Sequence, residues 1–141
     1  METWKLQAIL AAVFAGLTSV LAKSGLTGLS ADTGLAIRTA VVFLLVSANA
    51  FAIGGAGEIN AITGRNLALL ALSGLTTSLS WIFYYRAMKT GTVSTVALID
   101  KGSIVITLLL SFSLLREPFT ARVALGAALI LAGVGVLSWK L

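Results

Sequence analysis

The sequence predicts an all-α membrane protein with five transmembrane helices. Hydrophobic residues make up 58% of the 141 and charged residues only 11%, with a mean hydropathy of +1.03. A soluble domain carries about a quarter charged residues, so an ordinary globular fold is excluded, and chains this apolar do not stay disordered. The apolar residues gather in five continuous stretches, each near the ~20 residues that cross a hydrocarbon core ~30 Å thick. These stretches do not alternate polar and apolar, so helices are expected rather than a β-barrel.

The expected spans are residues 6–22, 34–53, 66–85, 93–115 and 121–139. Too little chain remains between them for a soluble domain, so the chain reads as one transmembrane domain. A polar joint from Ser24 to Thr33, with Gly25, Gly28 and Asp32, separates the first two spans. Gly54, Gly55, Gly57, Asn60 and Gly64 form the second joint. Lys89-Thr90-Gly91-Thr92 is short enough to fold spans three and four into a hairpin. In Arg116-Glu117-Pro118-Phe119-Thr120, the proline blocks continuation of span four. Trp4 and Trp139 stand at the chain ends, where they suit the two membrane interfaces. Span one has a rival reading, because Lys5, an apolar stretch and Val20-Leu21-Ala22 also fit a secretion signal. Four spans would survive its removal.

Orientation is set by Lys and Arg in short loops. Lys5, Arg65, Arg116 and Arg122 fall on the face of the N-terminus, and Lys23, Arg86, Lys89 and Lys140 on the other. The balance gives no direction. Either a weak bias is hidden by the boundaries, or copies insert both ways and pair antiparallel.

The chain has no cysteine and no histidine, so thiolate metal sites, disulfides and the usual general base are absent. No metal, cofactor or catalytic residue is expected. The five acids, Glu2, Asp32, Glu58, Asp100 and Glu117, form no carboxylate pair at helical spacing. The net charge of +5 comes from scattered bases, with no basic run to hold nucleic acid.

Ionisable residues inside spans are costly and mark function by default. Arg38 lies a turn or so into span two, and Asp100 and Lys101 about two turns into span four. With Lys23 they are expected in one layer, where Asp100 takes its partner from another helix, Arg38 or Lys23. A structural ion pair and a solute site are both open for Arg38 and Asp100, whereas Lys23 reads as a snorkelling anchor. Asp100, Ser103, Thr107 and Ser111 recur on one helical face, and Ser73, Thr77, Ser80 and Tyr84 do so in span three. Each hydroxyl alone suits helix packing. Two stripes in a hairpin also suit a solute pathway, with Trp81 and Tyr85 placed to stack on a planar or cationic solute. Tyr84 and Tyr85 fit a membrane-interface belt equally well. Gly126 and Gly133, seven apart, make a flat ridge on span five, suited to a subunit interface, and Ala12, Gly16 and Ser19 make a similar groove on span one.

Taken in order, Phe83-Tyr84-Tyr85-Arg86-Ala87-Met88-Lys89-Thr90-Gly91, then Leu115-Arg116-Glu117-Pro118-Phe119-Thr120, then Leu125-Gly126-Ala127-Ala128-Leu129-Ile130-Leu131-Ala132-Gly133-Val134 resemble the EamA domain of the drug/metabolite transporter superfamily. Arg38 and Lys23 also fit, and the similarity covers nearly the whole chain, most strongly its last 60 residues. The resemblance implies a carrier of small organic metabolites or drug-like solutes, often an exporter, in a bacterial inner (plasma) membrane. Full members hold two inverted five-helix repeats. This chain has one, which implies a homodimer, parallel or antiparallel. Related small multidrug carriers use an acid in their first helix for proton exchange, and none occurs here. The expected partners are the lipid bilayer, a small organic solute and a second copy. The alternative is a non-transporting membrane regulator or assembly subunit.

Overall fold

The computed structural model describes residues 2–54, 57 and 61–139. Those residues form six helices and no strand: α1 (Thr3–Gly25), α2 (Ala31–Ala52), α3 (Gly64–Thr90), α4 (Val93–Asp100), α5 (Ser103–Leu114) and α6 (Ala121–Ser138). α4 and α5 are two pieces of the fourth span. Four stretches are long and apolar enough to cross a membrane, namely α1, α2, α3 and Val93–Leu114, while α6 is a shorter apolar helix. Gly55, Asn60 and Glu58 of the second joint, and Lys140 of the charge balance, lie outside the described residues.

The helices outrun their apolar stretches because the backbone ladder continues through polar residues that find partners. α2 begins at Ala31, three residues before the hydropathy boundary. The Ser30 hydroxyl accepts from the Thr33 backbone N–H at 3.1 Å and caps that end, with Asp32 in the first turn. Thr63 caps α3 in the same way, accepting from Asn66 N–H at 3.2 Å. α3 continues past Tyr85 through Arg86 and Lys89 to Thr90.

The chain divides into two compact units, Met1–Thr90 and Gly91–Leu141. In the first unit, α3 packs against α2 and α1. Among the described residues the buried hydrophobic side chains are Leu26, Ala31, Leu35, Tyr85 and Met88. All belong to the end where α1 stops, α2 starts and α3 stops. Elsewhere the apolar faces point outward, as at Leu44 (66% exposed) and Leu70 (70%). A soluble chain of this length buries about two thirds of its unfolded surface. So small a core with so much outward leucine is stable only against hydrocarbon or another protein surface.

Two lysines tie this end together. Lys23 Nζ, on α1, donates to the Met88 carbonyl at 2.6 Å, and Lys89 Nζ, on α3, donates to the carbonyls of Leu26 and Leu29 at 2.8 and 2.7 Å. Each helix thus satisfies backbone carbonyls at the C-terminal end of the other, where the helix dipole favours a cation. Arg86 grips Asp32 at 3.2 Å, joining the end of α3 to the start of α2. Gly34 lies against Leu26, and a Cβ there would overlap Leu26 Cδ2.

In the second unit, α4 and α5 both pack on α6. The fourth span is broken at Lys101–Gly102. Lys101 and Gly102 N–H bond back three residues, to Leu98 and Ile99, at 3.1 and 2.9 Å, and their ψ angles of −15° and −21° are those of a 3₁₀ turn. Gly102 suits the tight turn, since a Cβ there would sit 3.0 Å from the Ile99 carbonyl oxygen. Arg116 then turns the chain in the left-handed region, at φ 55°, and Glu117 N–H reaches back to the Ser111 carbonyl at 3.2 Å. Phe112 and Phe119 close this joint edge to face, 4.8 Å apart.

Candidate functional site

The first unit brings together Arg38, Trp81 and Tyr85. Arg38 is seven residues from the start of α2, about 10 Å along the helix axis, and about one turn inside the apolar stretch that begins at Gly34, as expected. Its guanidinium carbon lies 3.9 Å from the centroid of the Trp81 ring and 5.9 Å from that of Tyr85. The planar cation that stacks on these aromatics is therefore the chain's own arginine. Nη1 of Arg38 is buried with no hydrogen-bond partner among the described residues. The described carboxylates of this unit are engaged, Glu2 with Lys5 at 3.0 Å and Asp32 with Arg86.

Tyr85 is 4% exposed and packs inside the unit, as a belt aromatic would not. Tyr84 is half-buried, and its hydroxyl lies 2.9 Å from Ser19 Oγ, so Ser19 joins α1 to α3. Beside the cluster runs an apolar groove of about 350 Å³ whose wall includes Arg38, Tyr85, Thr18, Leu26, Leu29 and Ile37. Ser73, Thr77 and Ser80 are exposed on α3 and do not line this groove. Thr77 Oγ donates to the Ser73 carbonyl of its own helix at 2.8 Å.

In the second unit, Lys101, Ser103 and Thr107 line a groove of about 460 Å³ with Leu129 and Gly133 of α6. Thr107 Oγ donates to the Ser103 carbonyl at 3.2 Å. Asp100 Oδ2 lies 3.5 Å from Lys101 Nζ, so within this unit it has its sequence neighbour as a partner. In a regular helix, adjacent side chains diverge. Here the pair flanks the 3₁₀ turn, and the long Lys101 side chain still reaches Asp100 at 3.5 Å. A Cβ added at Gly126 or Gly133 would find nothing within 4 Å, and Gly133 borders this groove.

Sequence reasoning named Arg38, Trp81 and Tyr85 but not their mutual contact. It missed Gly34 and Met88. The signal for Gly34 was there, a glycine one turn before the arginine on α2. Among the described residues no cluster of metal-ligating side chains forms.

A protein from a Sinorhizobium species, described as an uncharacterized transporter in the cobO 3′ region, is 39% identical over 137 residues, 97% of each chain. No solved structure matches this sequence. The EamA-like transporter family matches residues 2–139, which takes in both units and every residue of the two grooves. Span-length apolar helices, an arginine held deep within one of them and this match agree: the chain is an integral membrane protein of the EamA-like transporter family.

Proposed function

We propose that this protein is one subunit of a secondary transporter that moves a small organic metabolite or drug-like solute across a bacterial inner membrane, acting as an exporter and as a homodimer. The carrying observation is Arg38, a cation held on Trp81 seven residues into an apolar span, with a buried donor that nothing described satisfies. A charge at such depth is expensive and is retained where it lines a solute path. Within the first unit the candidate residues are Arg38, Trp81, Tyr84 and Tyr85, with Ser73, Thr77 and Ser80 further along α3. Within the second unit, taken by itself, they are Asp100, Lys101, Ser103 and Thr107. The reading involves no catalytic step.

The dimer reading is supported by open space beside Gly126, which leaves a close approach available to a second copy, while Gly133 borders the groove of its own unit. A single domain of five crossings offers half the repeats from which inverted-repeat carriers build a midplane site. Single cysteines at Gly126 and Gly133 should crosslink to a dimer in the membrane. Crosslinking through cysteines on α2 instead would move the interface. For the solute, purified protein is screened by thermal shift against metabolites, because a ligand of the native state raises its stability. Failure of every organic solute class to shift it would favour the non-transporting subunit.

A further inference from the structure

We propose that Arg38 anchors an oxyanion site, and that its ligand is an organic anion with a carboxylate or phosphate head and an apolar body. The proposal deepens the transporter reading of the same residue and rests on it. Stacking on Trp81 at 3.9 Å occupies the flat face of the guanidinium. The N–H edges, which match a carboxylate or phosphate in one plane, are left to donate. Nη1 is one of those edges, and it is buried without a partner among the described residues. Buried charged donors are nearly always satisfied, so an orphan donor on an arginine that lines the groove calls for an acceptor.

The acceptor has to come from outside this unit's described carboxylates, which Lys5 and Arg86 already hold. A cationic ligand is disfavoured, because Lys23, Arg86 and Lys89 belong to the same end of the unit as Arg38. A neutral amide would accept one bond and leave the charge uncompensated. The groove adds the second half of the specificity. Its wall is mainly Leu21, Leu26, Leu29 and Ile37, and about 350 Å³ admits a short hydrocarbon body. The same chemistry is presented by a soluble organic acid and by an anionic lipid headgroup.

The test uses the full chain with Trp4→Phe and Trp139→Phe, which leaves Trp81 as the sole indole. Its emission is followed while sodium hexanoate, hexanamide or hexylamine is added. Hexanoate is expected to saturate the change about tenfold more tightly than hexanamide, as a charge-assisted pair requires. Hexylamine is expected to give none. Arg38→Gln should remove the preference for hexanoate, and Arg38→Lys should restore part of it. If Arg38→Gln does not fold, the hexanoate-to-hexanamide ratio of the parent decides alone. Equal affinity for the two, or an unchanged ratio in folded Arg38→Gln, overturns the proposal.

Repeating the titration in nanodiscs of phosphatidylcholine, with and without phosphatidylglycerol, separates the sources. Competition by phosphatidylglycerol assigns the site to lipid, and its absence assigns it to a soluble acid. Hexanoate binding without solute movement in liposomes would retire the transporter reading and keep the site. Transport indifferent to Arg38→Gln, with no hexanoate preference, would do the reverse.

Discussion

Replacing Lys89 by methionine keeps an unbranched apolar stem and removes one of the two cations that tie α1 to α3. Its Nζ donates to the carbonyls of Leu26 and Leu29 at 2.8 and 2.7 Å, and Leu26 is 2% exposed. Hydrogen bonds to a charged group contribute about 1.5–3 kcal/mol each in soluble proteins. Interhelical bonds in membrane proteins average nearer ~0.6 kcal/mol. The Lys89 head is exposed, which places each bond between these two figures, at about 1 kcal/mol, and two bonds are lost together. The expected loss is about 2 kcal/mol. Equilibrium unfolding of the detergent-solubilised protein reads it, with Lys89→Arg as a control that keeps donors in place. Lys23→Met should cost a similar amount, since its 2.6 Å bond reaches the carbonyl of fully buried Met88. Unchanged unfolding in both methionine variants would refute the argument that this end is held by crossed lysine-to-carbonyl bonds.

Three further outcomes follow from particular contacts. Gly34→Ala forces its new methyl against Leu26 Cδ2 in the small core, and thermal unfolding should show a loss of about 1–3 kcal/mol, the usual cost of overpacking. Asp100→Asn should change stability by less than ~1 kcal/mol, because its pairing with Lys101 is long and partly exposed. A loss of ~3–5 kcal/mol would instead mean that a buried cation had been stranded. Arg116→Gly should stabilise the protein by about 0.5–1 kcal/mol. It relieves ~1–2 kcal/mol of left-handed strain and gives back part through glycine's freedom in the unfolded chain. Arg116→Val should destabilise it in the same unfolding assay.

Fold class was legible because hydropathy over ~20 residues is a strong signal. The ends of the helices were not, because hydropathy marks only their apolar middles. Lys23, Arg86 and Lys89 read as loop residues by polarity, yet they lie in helices because tertiary partners accept their charges. Ser30 with Asp32 was a readable start signal for α2 that polarity alone assigned to the loop. The break at Lys101–Gly102 falls on Asp100-Lys101-Gly102-Ser103, a polar interruption that read as charges within a continuous span, with no proline to mark a turn.

Arg38 stood out as a charge in a span, and Trp81 and Tyr85 as stacking surfaces. That the first would stack on the other two depends on how α2 meets α3, which no local pattern encodes. Asp100 shows the opposite case. Its partner was expected on another helix, Arg38 or Lys23, whereas within its own unit it lies 3.5 Å from the adjacent Lys101.

The central claim is that this chain, without other proteins, carries an organic solute across a bilayer. The direct measurement is counterflow in liposomes containing only this protein, using a solute chosen by the thermal-shift screen. Vesicles preloaded with unlabelled solute should accumulate the labelled form transiently and saturably, well above protein-free vesicles. Arg38→Gln should reduce that flux by at least about tenfold, the loss of one charge-assisted contact. A solute that binds the protein yet equilibrates no faster than in protein-free vesicles would contradict the account.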